Sequence, residues 1–254
     1  MASGLRDKKV LIVGGSSGIG AAVARHFGAR GARLVVNYNK NEAGAAETVE
    51  AIRAAGGTAT ALKADVSERA EAAAIVDRAA EALGGLDLLI NNAGTMFGRT
   101  PIADASDEQY DSVLDLNIGS VFFASRRAAQ IFRATKSGGI INTTSIAART
   151  GGGGGAGVYG SAKAFVSTLT RVLAKELAPL GVRVNAVAPG VILTPFHERY
   201  STAEQLAEIK KGIPLGRLGI AEDCVGAFEF LADDGMSGYI TGQVIEVNGG
   251  QAMP

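Results

Sequence analysis

The stretch KKVLIVGGSSGIGAAVARHFGARG, residues 8–31, decides the fold. Its opening, KKVLIV (8–13), is a short apolar run of the kind that is buried on both faces as a strand. From Ile19 to Arg30 the spacing turns helical, with Val23 and Phe27 on one face, and Gly31 is a natural stop. Between the two lies a glycine-rich turn, residues 14–20. A strand feeding directly into a helix predicts a right-handed crossover to a parallel neighbour.

The alternation continues to the end of the chain. RLVVNY (33–38) reads as a second strand, Glu42 to Ala55 as a helix, and ATALKADV (59–66) as a third strand. Ser67 is the expected N-cap of a helix running to about Leu83, before LDLLIN (86–91). Ser106 is the expected cap of helical segments over 107–136, followed by GGIINTTS (138–145). A helix over Tyr159 to Leu177 is ended by Pro179 and Gly181, and VRVNAVAP (182–189) is the sixth strand. Ala221 to Ala232 reads as a helix and QVIEVN (243–248) as the seventh strand. The pattern predicts an α/β chain: a doubly wound sheet of about seven mostly parallel strands with helices on both faces. No linker-like break divides it, so residues 1–254 read as one domain.

Composition narrows the functional classes. Hydrophobic residues make up 47% of the 254, enough for a large core. Lys+Arg and Asp+Glu balance at 25 each, so no bulk charge favours nucleic acid or a membrane surface. The single cysteine, Cys224, excludes a disulfide within the chain. With two histidines, His26 and His197, there is little material for a metal site, and none is expected. The basic opening MASGLRDKK followed by an apolar run faintly resembles a secretory leader, but GGSSG interrupts it. No unbroken apolar run reaches the ~18 residues of a membrane span. The expectation is a soluble, cytoplasmic protein.

Ligands of open α/β sheets bind beyond the carboxyl ends of the strands. The first such end is the turn after Val13. Its glycines permit a tight bend, and the helix that follows offers free N–H groups to a pyrophosphate. Other predicted strand ends carry Tyr38-Asn39-Lys40, Asp65-Val66, Asn91-Asn92-Ala93-Gly94, Thr144-Ser145 and Pro189-Gly190. Polar or turn-forming clusters at so many strand ends exceed what packing requires.

In order, GGSSGIG (14–20), NNAG (91–94), Asn117 in LDLNIG, Ser145, Tyr159 with Lys163 four residues on, and Pro189-Gly190-x-x-x-Thr194 resemble the short-chain dehydrogenase/reductases. The resemblance spans about Lys8 to Gly250 and is nearest to the 3-oxoacyl-carrier-protein reductase and glucose 1-dehydrogenase branch. It implies a Rossmann-type oxidoreductase with Asn117, Ser145, Tyr159 and Lys163 as catalytic residues. Tyr159 would exchange a proton with the substrate oxygen. Lys163, one helical turn on, would lower the phenol's pKa and bind the nicotinamide ribose. Ser145 would hold the substrate oxygen, and Asn117 a water for proton relay. For the dinucleotide it implies Gly14, Ser16, Ser17, Gly18, Ile19 and Gly20 at the pyrophosphate; Tyr38, Asn39, Lys40, Asp65 and Val66 at the adenosine end; Asn92, Ala93 and Gly94 below; and Tyr159, Lys163, Pro189, Gly190, Ile192 and Thr194 at the nicotinamide end. The sequence departs from the family pattern at Val13, where Thr is usual, and by a longer gap between Ser145 and Tyr159.

The second strand ends without an acid before Glu42, while Lys40 is available to a 2′-phosphate. This favours NADP(H), with NAD(H) also admitted. The leading expectation is reduction of a 3-oxoacyl thioester with NADPH. Oxidation of a sugar or polyol is the alternative, and a non-catalytic dinucleotide sensor the remote one. By resemblance the partners are a small carbonyl or alcohol substrate and other copies of the chain in a homotetramer.

The glycine run in SIAARTGGGGGAGVYGSAK (145–163) lies between two residues of the motif set. It reads as a shallow, mobile pocket wall suited to a bulky or extended substrate, with Arg149 able to meet an anionic group. A flexible lid is expected between Thr194 and about Gly219, with His197 a solvated lid residue. Phe196, Leu193, Ile213, Met96 and Phe97 are candidates for the pocket lining.

Overall fold

The computed structural model describes residues 4–253, so the first three residues of the basic opening lie outside them. The first half runs β1 (Lys9–Val13), α1 (Gly18–Ala29), β2 (Arg33–Tyr38), α2 (Glu42–Ala54), β3 (Thr58–Lys63), α3 (Arg69–Leu83) and β4 (Leu88–Asn91). Then come α4 (Asp107–Leu114), α5 (Ser120–Thr135), β5 (Gly139–Thr143), a single turn α6 (Ala147–Thr150), α7 (Gly157–Leu177) and β6 (Arg183–Pro189). The chain ends with β7 (Ile192–Leu193), α8 (Pro195–Tyr200), α9 (Ala203–Lys211), β8 (Gly219–Ile220), α10 (Ala221–Ala232), α11 (Asp234–Ser237) and β9 (Val244–Val247).

Seven strands form one sheet in the order β3-β2-β1-β4-β5-β6-β9, and every pairing is parallel. From β1 the chain winds outward to β3, then returns across β1 to build the other half. The loops after β1 and β4 therefore leave in opposite directions and open a crevice at the carboxyl edge.

Alternate side chains of each strand enter two cores. Val10 and Ile12 join Phe27, Ile52 and Phe228 beneath α1, α2 and α10. Leu11 and Val13 join Ile75, Phe132 and Val166 beneath α3, α5 and α7. Gly28 allows α1 to approach α2, since a Cβ there would stand 2.5 Å from Ile52.

The structure corrects several local expectations. Ser67 does not cap α3. Its N–H and hydroxyl both donate to Asp65 Oδ1, at 3.1 and 2.6 Å, so the chain turns there and the helix starts two residues later. The third strand stops at Lys63, which leaves Asp65 and Val66 in the loop beyond it. Ser106 does cap its helix, accepting from the Gln109 N–H. The helical stretch beyond it is interrupted by a widened π turn at Asp115–Gly119 that contains Asn117. Such bulges occur frequently at functional sites. The lid region is two helices and a small parallel ladder, β7 with β8. Its second helix, α9, opens on a capping box of Thr202 and Gln205.

Phe228 is fully buried between α10 and the sheet. Phe228→Ala should lower unfolding stability by about 3–5 kcal/mol, measured by denaturant titration.

Candidate active site

A cavity of about 780 Å³ opens at the carboxyl edge of the sheet. One end is the glycine turn, with Gly14, Ser16, Ser17, Gly18 and Ile19, over the loop Asn92-Ala93-Gly94. The floor holds Ser145, Tyr159 and Lys163, and Pro189, Gly190, Ile192 and Thr194 close one side. These expected residues come from strand ends and loops far apart in sequence.

The glycine turn is shaped for close approach. Gly14 sits at φ +76°, and a Cβ there would lie 2.8 Å from the Ala93 backbone. Gly20 does not line the cavity. It lies inside α1, where a Cβ would meet Gly14 O at 2.2 Å and Asn92 Nδ2 at 2.6 Å. Ser17 is the N-cap of α1 but makes no side-chain cap bond. The helix N-terminus thus keeps its positive dipole end for an anionic ligand. Gly18 and Thr194 approach each other so closely that a Cβ on Gly18 would lie 3.2 Å from Thr194 Cγ2, which makes the two ends of the site adjacent.

Lys163 is 2% exposed. Its Nζ donates to Thr143 O at 3.0 Å and lies 5.6 Å from the Tyr159 ring centroid. Burial pushes its pKa down to about 8. Burial also pushes the Tyr159 phenol up to about 12, against the pull of a hydrogen bond with Ser145. The expected lowering of the phenol's pKa by Lys163 is therefore not what the protein's own groups produce. Desolvation outweighs the Ser145 hydrogen bond.

Asn117 is fully buried and contributes no cavity surface. Its Nδ2 donates to Thr95 O and Val113 O at 2.7 and 2.9 Å, but its Oδ1 has no partner. That oxygen points at the same place as Lys163 Nζ. A Cβ on Gly94 would lie 2.7 Å from the oxygen and 2.9 Å from the ammonium. An orphan acceptor and a buried donor converging on a side-chain-free position form a site for a small polar group.

Tyr38, Asn39, Lys40, Asp65 and Val66 gather at the ends of β2 and β3, outside the cavity lining. Asn37 Oδ1 accepts from the Gly14 N–H at 3.2 Å, tying that edge to the glycine turn. Partial burial raises the pKa of Asp65, but hydrogen bonds from Ser67 and Asn39 and the charge of Lys40 hold it below the usual carboxylate value.

Other expectations change. Arg149 does not face a ligand; its Nε donates to Glu246 Oε1 at 2.7 Å. Met96 and Phe196 line the cavity, whereas Phe97, Leu193 and Ile213 do not. His197 is half-buried in the lining rather than solvated, and burial with the charge of Arg99 pushes it down to about 4. Gly152, Gly153 and Gly154 do line the cavity, but Gly153 and Gly154 are held by their carbonyls to Arg99 rather than left free. Arg99, Thr143 and Gln205 are lining residues that sequence reasoning missed. The Thr202-x-x-Gln205 capping box was the readable signal for α9. Nothing near Arg99 marks it.

The glycine cradle and the open helix N-terminus fit the pyrophosphate of a nicotinamide dinucleotide. The fold and site define a Rossmann-type oxidoreductase. A family model described as Enoyl-(Acyl carrier protein) reductase matches residues 13–252. The chain belongs to the short-chain dehydrogenase/reductase family, whose members act on CH–OH and C=O groups. It is 40% identical over 250 residues to 3beta-hydroxysteroid dehydrogenase 1 of Eggerthella lenta, covering 98% of this chain and 95% of that one. It is 39% identical to a 3-oxoacyl-[acyl-carrier-protein] reductase of Synechocystis sp., covering 98% of each. Among solved structures, an NADH-dependent reductase A1-R' complexed with NAD superposes with a TM-score of 0.89 at 37% identity over 100% of both chains. A 7 alpha-hydroxysteroid dehydrogenase complexed with NADH and 7-oxo glycochenodeoxycholic acid gives 0.92 at 32% identity, over 100% of this chain and 99% of that one.

The buried Lys163 has a sign that can be checked. In the unfolded chain its pKa is 10.5, against about 8 in the fold. Below pH 8 the native state carries the full penalty of a buried cation, and stability rises as pH climbs from 8 to 10.5. Without added dinucleotide, Lys163→Met should be more stable than wild type at pH 7 by about 1–3 kcal/mol in denaturant titration. The gap should shrink toward pH 10.

Proposed function

We propose that the protein reduces a ketone to a secondary alcohol with NADPH, and that its leading substrate class is a 3-oxoacyl thioester. One observation carries the catalytic part: Tyr159, hydrogen-bonded to Ser145, stands over the buried Lys163 ammonium at the cavity floor.

Each residue has a defined task. Ser145 donates to the substrate carbonyl oxygen and stabilises the charge that develops there. Tyr159, protonated at neutral pH, gives its proton to that oxygen. Lys163 then favours the phenolate left behind. Asn117 Oδ1 and Lys163 Nζ hold the path by which the proton is replaced. A bound nicotinamide dinucleotide supplies the hydride. The glycine turn and the α1 N-terminus would hold its pyrophosphate, and Lys40, beside Asp65, would meet a 2′-phosphate, with NADH a weaker partner.

The apolar lining by Met96, Phe196, Ala147 and Ile209 favours an acyl chain over a polyhydroxylated substrate. It also suits an alicyclic ketone, in line with the name of the relative at 40% identity. Residues 1–254 would act as one NAD(P)-binding unit, in a cytoplasmic homotetramer.

Oxidation of NADPH and NADH, followed separately by absorbance with acetoacetyl-CoA, tests this reading. NADPH should be the faster reductant, and Tyr159→Phe should lose about 10²–10⁴-fold in kcat while still binding the dinucleotide. Lys40→Ala should raise KM for NADPH about tenfold and leave NADH unaffected. Turnover of a 3-ketosteroid but not of the thioester would move the assignment to alicyclic ketones, and activity retained in Tyr159→Phe would remove its catalytic basis.

A further inference from the structure

Arg99 has no place in the chemistry above, yet it lies between two walls of the cavity, the glycine run and α8. It follows a tight turn, with Phe97 at φ +54° and Gly98 at φ +135°, whose carbonyl accepts from Gln109 Nε2 at 3.3 Å. A non-glycine residue in the left-handed region is held there by its surroundings. The turn directs the guanidinium back toward the cavity mouth.

The contacts of Arg99 divide between the two walls. Nη1 donates to Gly153 O at 3.0 Å and to Gly154 O at 3.2 Å, both in the glycine run. Nε donates to Tyr200 O, and Nη2 lies 3.4 Å from Ser201 Oγ, both at the end of α8. Among the described residues no carboxylate pairs with it, and its acceptors are carbonyls and a hydroxyl. A planar guanidinium can serve several acceptors at once, which an ammonium cannot do with fixed geometry.

Neighbouring contacts reinforce both sides. The Thr100 N–H donates to Gly155 O at 2.9 Å, and a Cβ on Gly155, at φ +75°, would lie 2.6 Å from Thr100 N. Glycine is therefore required where the run meets the Arg99 segment. On the other side, the Thr95 hydroxyl donates to Tyr200 Oη at 2.9 Å. Phe196, on the same α8 turn, packs with its ring centroid 5.6 Å from that of Tyr159, tilted, and 5.3 Å from that of Tyr200, edge to face. Whatever holds Tyr200 thus also holds Phe196 against the Tyr159 ring.

We propose that Arg99 is a positioning and specificity-determining residue that ties α8 to the glycine run and so fixes the width of the substrate cavity. Its effect on substrate binding acts through the placement of Phe196 in the cavity wall. It is strongest for substrates long enough to fill the space between the walls, because a short ketone touches only the cavity floor. The dependence on substrate length rests on the catalytic reading above; the structural tie does not.

Two measurements on Arg99→Ala and Arg99→Lys separate these parts. The first is hydrogen exchange of the whole protein without substrate. In Arg99→Ala, amides over 195–211 should exchange at least tenfold faster, with the sheet strands unchanged, and Arg99→Lys should fall between the variant and wild type. Unchanged protection over 195–211 in Arg99→Ala would overturn the proposal. The second compares kcat/KM for 3-oxooctanoyl-CoA and acetoacetyl-CoA with NADPH. The longer substrate should lose at least tenfold, mainly in KM, and the shorter less than threefold. Equal losses would overturn the specificity role. If wild type turns over neither thioester, the substrate assignment fails, and the exchange measurement still decides the tie.

Discussion

The site is organised around one costly placement: a lysine ammonium held almost out of water at the carboxyl edge of a parallel sheet. Lys163 has a backbone carbonyl, Thr143 O, as its hydrogen-bond acceptor and an aromatic ring above it. No carboxylate neutralises it among the described residues. An ammonium in such surroundings gives up its proton more readily, which is the direction of its shift. The surrounding features accommodate this residue. Gly94 carries no side chain because Nζ and the Asn117 oxygen occupy the space. The π turn brings Asn117 to that point, and the buried hydroxyl of Thr144 donates to Lys163 O at 2.8 Å, tying the helix backbone to the end of β5.

That arrangement depends on the sheet. Parallel strands must end at the same level for Val13, Asn91, Thr143 and Pro189 to place their following residues around one crevice. Parallel register does this, since Val13 pairs with Asn91 and Asn142 with both Asn91 and Ala186. A buried polar network strengthens the junction. Asn91 Nδ2 donates to Asn142 Oδ1 at 2.9 Å, and Asn142 Nδ2 donates to Thr170 on α7 at 2.9 Å. The helix carrying Tyr159 and Lys163 is thereby bonded to the strands that carry the rest of the site. Asn91 Oδ1 is left without a partner among the described residues, yet the directed bonds of the network favour one arrangement where apolar packing alone would tolerate several.

The glycine run shows where local reading stops. Glycines before a Tyr-x-x-x-Lys pair suggest freedom, and Gly153 and Gly154 do have open space where side chains would be. Their carbonyls are nevertheless bound by an arginine more than 50 residues earlier in the chain. The same limit applies to Arg149. Its neighbours in sequence suggested a free cation, but Glu246 on β9 holds it.

What the sequence by itself determined is the alternation of strands and helices, the parallel sheet, and the residues of the glycine turn, NNAG and the Tyr-Lys pair. Those signals are local: apolar runs of strand length, helical spacing, and residue types that only a turn or a strand end requires. Even Asn117 was legible, as part of an ordered set of motifs. What only the tertiary structure decided is the electrostatics and the enclosure. The direction of the Tyr159 shift follows from its desolvation at the cavity floor, and Phe196 packs beside it from a lid whose capping box was readable but whose resting place was not. The π turn at Asn117, the loss of Arg149 to Glu246 and the grip of Arg99 on both walls all depend on contacts between segments remote in the chain. Burial and pairing over such separations are set by how the layers pack, and no window of sequence contains both partners.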